Sequence, residues 1–218
     1  MTPFNLEEHL QLEHKRTAIS EYLREIVYGG NDGIVTTFAV VAGFAGAQKD
    51  PATSAVPVVS VLLFGLANLL ADAFSMSLGS FLSLRADQDI YRSEKSKEHH
   101  EILTQPDNEF QETIEILKRK KFSQKDATTL AGIYRKNPHY WTEFMMKDEL
   151  EMTNPEKENA VYIALFTFIA FILFGAIPLG PFIFRIGTND FALSIAFTVL
   201  ALLRLGILRA FIYKQKPL

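Results

Sequence analysis

The 218-residue chain contains no cysteine, which excludes disulfides and thiolate metal sites. It has no excess of basic charge. The formal net charge is −3, and no Lys/Arg stripe interleaved with aromatics occurs, so no nucleic-acid partner is expected. The start, MTPFNLEEHLQLEHKR, has no apolar core followed by a small-residue cleavage site, so no cleaved signal peptide is expected. There is no HExxH zinc-protease motif. Averages are uninformative: 48% hydrophobic and 22% charged residues would suit a soluble domain.

The distribution is informative. Residues 26–84 and 160–213 are mostly apolar, whereas 85–159 are polar and helix-prone. This pattern predicts an all-α, polytopic membrane bundle with a cytosolic helical insert between the second and third spans. Residues 1–25 suit an amphipathic helix on the membrane surface or a solvated helix leading into the first span. From Ile34 to Ala47 a helix would cover only about 21 Å of a roughly 30 Å hydrocarbon core. The first span must therefore extend back through Asp32 towards Ile26. Its small residues Gly33, Ala39, Ala42, Gly43, Ala45, Gly46 and Ala47 allow close helix packing, within one subunit or across a subunit interface.

Gln48 to Pro51 forms a turn. The second span runs from Ala55 to about Leu84 and continues in water to about Thr104. Within the insert, Pro106 ends that helix and Asp107 or Asn108 caps the next, to about Lys120. Ser123 caps a third helix, Asn137-Pro138 starts a fourth, and Asn154-Pro155 closes the insert. The third span, from Val161 to about Phe184, is bent or ended between Gly175 and Pro181. After a turn at 187–190 the fourth runs from Phe191 to about Tyr213. Lysines and arginines cluster before the first span, in the insert and after the fourth, placing both termini and the insert in the cytosol.

Two carboxylates, Asp32 and Asp72, fall at membrane depth, where a charge costs at least about 2.5–3.5 kcal/mol and usually marks a polar path. Pairing of one of them with Arg204 is a structural alternative. Asn68, Asp72 and Met76 share a helix face, and Glu25 shares that of Asp32 near the cytosolic entrance. The insert carries Glu98, Glu101, Glu109 and Glu112, paired three apart on successive helices, with Glu149 beside Met145 and Met146. A mixed carboxylate and thioether set suits Fe²⁺ or a similar transition metal better than Ca²⁺ or Mg²⁺. Glutamates on polar helices are also ordinary solvated faces, and spacing alone does not separate the two readings. His99 and His100 point in different directions and are expected at the surface.

The segments DGIVTTFAVVAGFAGA, GLANLLADAFSMSLGSFLS, MMKDEL and NPEKENA…GAIPLGP, in this order over nearly the whole chain, resemble the vacuolar iron transporter family. The resemblance implies a homodimer exporting Fe²⁺ and related divalent metals from the cytosol in exchange for protons. It implies a pathway at the dimer interface lined by Asp32 and Met76. It also implies metal binding in the insert by Glu98, Glu101, Glu109, Glu112, Met145, Met146 and Glu149. The chain departs from the family in carrying Asn68 where plant members have glutamate, with Asp72 one turn on able to supply the carboxylate. The family has five spans and this sequence ends after four.

Metal, whether Fe²⁺, Mn²⁺, Co²⁺ or Zn²⁺, is thus expected as substrate, with no tightly bound cofactor and no enzymatic activity. The expected membrane is a bacterial inner membrane rather than a vacuolar one. A membrane-anchored di-iron enzyme or a metal sensor are the alternatives. The first lacks the Glu-x-x-His motifs such sites use, since position 101 is glutamate and Glu94 has Lys97 at the histidine position. The second gives no role to charges in lipid.

Overall fold

The structure, a computed structural model, describes residues 22–47, 58–185 and 189–212, at 47 and 209–212 in backbone only. Most of the expected N-terminal helix, the turn at Gln48–Pro51, the segment Ala55–Pro57, part of the turn at 187–190 and the segment 213–218 lie outside these residues. Every regular element described is helical. The helices are α1 (Leu23–Ala47), α2 (Val58–Thr104), α3 (Pro106–Arg119), α4 (Gln124–Tyr134), α5 (Pro138–Asp148), α6 (Ala160–Gly175), α7 (Gly180–Phe184) and α8 (Asp190–Ile212). They divide into two compact units, residues 1–81 with 160–218, and residues 82–159; α2 contributes to both.

In the first unit, α2, the stretch Ala160–Phe184 and α8 are long and apolar enough to cross a membrane. Helix α1 is not in that group by composition, because Asn31, Asp32 and its glycines dilute the apolar run. Its 25 residues are nonetheless about 37 Å long, enough for a bilayer. It begins at Leu23, well before Asp32. Its glycine face packs closely on α6, while Asn31 and Asp32 stay exposed. A Cβ on Gly33 would lie 2.5 Å from the Phe171 carbonyl oxygen, and one on Gly29 2.9 Å from that of Thr167. From the other side, a Cβ on Gly175 would lie 2.9 Å from the Gly33 carbonyl. Backbones meet here with no room for side chains. Gly33→Ala is therefore expected to destabilise the unit by about 1–3 kcal/mol, as overpacking does, and to lower its thermal midpoint in detergent. Gly43→Ala, where a Cβ meets nothing within 4 Å, should leave that midpoint unchanged.

The third span bends rather than ends. Helix α6 passes through a 3₁₀ turn, Ile177–Leu179, into α7. Pro178 and Pro181 remove backbone donors, which loosens the α-helical ladder. The Pro178 carbonyl accepts a 2.7 Å bond from Ser194 Oγ of α8, so the kink is fastened to its neighbour.

In the second unit, α3, α4 and α5 close around Trp141. Ile102, Ile114, Leu117, Ala127, Ala131, Phe144 and Met145 surround it. Trp141 Nε1 donates to Thr113 Oγ1 at 2.7 Å, so the indole is buried without an orphan donor. Ser123 and Asn137 cap α4 and α5, accepting from Asp126 N and Tyr140 N. Asn154 caps a 3₁₀ turn, Pro155–Lys157. The start of α3 differs from expectation. Gln105 is the cap, its carbonyl accepting from Asn108 N and Glu109 N, and Pro106 is the first helical residue. Proline's fixed φ suits the first turn, so the cap lies before it and not at Asp107 or Asn108.

Candidate metal centre and membrane carboxylates

Three carboxylates converge in the second unit. Glu98 lies on α2, Glu109 in the first turn of α3, and Glu149 caps the C-terminus of α5. One oxygen from each lies within 4.8 Å of the other two. An ion held at about 2.1 Å would keep its oxygens within about 4.2 Å of one another, so only slight closure is needed. Glu98 and Glu109 are 4% and 6% exposed, while Glu149 forms the open rim. Glu98 Oε1 and Glu109 Oε2 are buried without any hydrogen-bond partner. Such atoms are costly unless something binds there. Among the described ion pairs, none brings Lys or Arg to these three groups.

The electrostatics agree. Burial, then the charges of Glu109 and Glu149, pushes the Glu98 carboxyl up to about 8. Burial, then Glu112, Glu109 and Glu101, pushes Glu149 up to about 7. Burial and the Glu112 charge also raise Glu109. A cluster that resists its own ionisation gains from a dication.

The structure thus gathers Glu98, Glu109 and Glu149. Half-buried Glu101 and exposed Glu112 surround them and act through their charges. Met145 and Met146 are fully buried. Met145 Sδ lies 3.4 Å from Thr113 Oγ1 within the Trp141 core. His99 is exposed as expected, yet its Nδ1 lies 2.9 Å from Thr142 Oγ1, a contact the sequence reading missed. The available signal was the position of Thr142, three residues before Met145 on the same helix.

In the first unit, Asp32 is exposed and stands on a face of α1 with Tyr28, Val35, Ala39, Gly43 and Gly46, all exposed. The small-residue set of α1 is thereby divided: Gly33 packs inside the unit, while Ala39, Gly43 and Gly46 face outwards. Asn68 Nδ2 donates to Asp72 Oδ2 at 2.8 Å. Met76 is half-buried against Leu69, Ala73 and Phe171. Glu25 is buried and accepts from Arg24 Nε at 2.8 Å. Among the described residues no ion pair joins Arg204 to Asp32 or Asp72. An apolar groove of about 700 Å³ lies beside this face, lined by Ala39, Gly43, Phe64, Ala67, Asn68 and Ala71 among others.

A model of the VIT family matches residues 23–218. The chain belongs to this family. It is 33% identical to vacuolar iron transporter 1 of Eucalyptus grandis over 97% of this chain and 83% of that protein. It is 34% identical to the vacuolar iron transporter of Plasmodium berghei, covering 98% of this chain and 78% of the other. Vacuolar iron transporter 1 of Arabidopsis thaliana is 33% identical, with 97% and 84% covered. VIT family proteins are named as transporters, not enzymes, which sets aside the di-iron enzyme reading.

Proposed function

We propose that this chain exports a divalent transition metal, Fe²⁺ foremost and Mn²⁺, Co²⁺ or Zn²⁺ by shared ligand chemistry, from the cytosol in exchange for protons. The observation that carries the proposal is the Glu98–Glu109–Glu149 cluster, with two buried oxygens lacking any partner. The names of the relatives support iron as a transported substrate, and in this reading the cluster is a capture site for that substrate and not a resident cofactor site.

In this reading the cytosolic unit takes the ion from solution on its carboxylates, with Glu101 and Glu112 raising the local negative potential. Met145 and Met146, both buried in the same unit, are the softer groups of the set. The membrane step uses Asp32 and Met76 from two copies of the chain, meeting along the exposed, small-residue face of α1. Asp72, oriented by Asn68, adds a second carboxylate, and buried Glu25 belongs to the cytosolic approach. Protonation of Asp32 from the far side displaces the metal, because a ligand carboxylate must be ionised. Metal release is then coupled to proton uptake.

Uptake of Fe²⁺ or Mn²⁺ into proteoliposomes tests the division of labour. Glu98→Gln with Glu101→Gln is expected to raise the half-saturating metal concentration at least about tenfold while leaving much of the maximal rate. An unchanged half-saturation point would show that the cluster does not feed transport.

A further inference from the structure

The ligands of the capture site come from separate helices, and what fixes α2 against α5 is informative. Glu98 belongs to α2; Glu149 follows α5 by one residue. Among the described residues, one side-chain hydrogen bond joins these two helices, His99 Nδ1 to Thr142 Oγ1 at 2.9 Å. Thr142 has a single hydroxyl hydrogen and donates it to the Pro138 carbonyl at 2.9 Å. Its oxygen therefore accepts from the imidazole, and the ring proton sits on Nδ1. The parallel tie, Lys95 Nζ to Glu143 Oε1 at 3.8 Å, is a long, partly exposed ion pair that contributes little. His99 adjoins Glu98 in the chain, and Thr142 lies two helical turns before Glu149 on the same face of α5. Ligand sets tolerate errors of only a few tenths of an ångström, so the tie acts where tolerance is least.

We propose that His99 and Thr142 are positioning residues for metal capture: their hydrogen bond sets the distance between the α2 and α5 carboxylates. This inference rests on the reading of Glu98, Glu109 and Glu149 as the capture site.

The test is calorimetric titration of the full chain in detergent with Co²⁺, paired with thermal melts, for two variants. Thr142→Val keeps the buried shape and removes the acceptor, and exposed His99 can turn its N–H to water. It is expected to bind Co²⁺ about tenfold more weakly with little change in melting temperature. Thr142→Ser keeps the hydroxyl and loses a buried methyl. It is expected to melt earlier while binding Co²⁺ within about twofold of the parent. A purely structural role gives the opposite ranking, with affinity following stability. Thr142→Val binding as tightly as the parent, or affinity that tracks melting temperature across both variants, overturns the positioning role alone. Glu98→Gln binding like the parent overturns the capture site itself, and the positioning role with it.

Discussion

Lowering the pH from 8 to 6 is expected to weaken divalent-metal binding by the carboxylate cluster of the second unit on the order of 500-fold. Metal must displace the protons held by Glu98, pushed to about 8, and by Glu149, pushed to about 7. Below pH 7 both protons are lost on binding, and affinity falls about 100-fold per pH unit. Between 7 and 8 one is lost, and the slope is about tenfold; above 8 the curve flattens. Titrations with Co²⁺ or Mn²⁺ in buffers of different ionisation enthalpy measure both the affinity and the protons released. A flat affinity between pH 6 and 8 would contradict the clustered geometry. Stability without metal changes in the opposite sense. These carboxyls titrate higher in the folded state than their ordinary 4.5, so the protonated cluster favours folding. That contribution is complete below about pH 4.5 and is lost as the pH rises through about 8. Added metal should therefore raise the melting temperature most at the alkaline end.

Asp32→Ala is expected to reduce metal flux by at least about 100-fold, more than changes behind a ligand usually cause. The argument is electrostatic. An isolated dication at membrane depth is far costlier than a single charge, and Asp32 is the carboxylate on the outward face of α1. Asp72 is held by Asn68 and is not expected to replace it. Asp32→Asn, which preserves size and polarity, should fail equally, separating charge from shape. Asn68→Ala should cost far less, because it orients a carboxylate without carrying charge. Retained flux in Asp32→Ala would remove the aspartate from the pathway.

Much of the membrane unit was legible from hydropathy. The continuous run from the second span into the polar segment appears as one 47-residue helix, because no proline or glycine pair interrupts it before Pro106. The bend of the third span was legible from Pro178 and Pro181, although only the structure shows Ser194 fastening it. The cap at Gln105 was not legible, because Asp107 and Asn108 are stronger capping residues by type, and proline's preference for the first turn overrode them.

The carboxylate cluster was half legible. Spacing put Glu98 with Glu101 and Glu109 with Glu112, but which member of each pair turns inwards depends on the crossing of α2 and α3. Sequence placed Met145 and Met146 beside Glu149 but could not show how deeply either is buried, since that depends on the partners of a short helix. Both are buried, with Met145 against Thr113 and Trp141. The glycines of α1 show the same limit. Gly33 and Gly43 look equivalent in sequence, yet one meets the α6 backbone and the other meets nothing.

The most direct measurement is metal flux into proteoliposomes holding the full chain, with the lumen acidified relative to the outside and then with the gradient collapsed. The account predicts accumulation of Fe²⁺ or Mn²⁺ against its concentration gradient while the lumen is acidic, with matching alkalinisation of the lumen. Metal movement indifferent to the proton gradient, or no movement at all in correctly inserted protein, would contradict it.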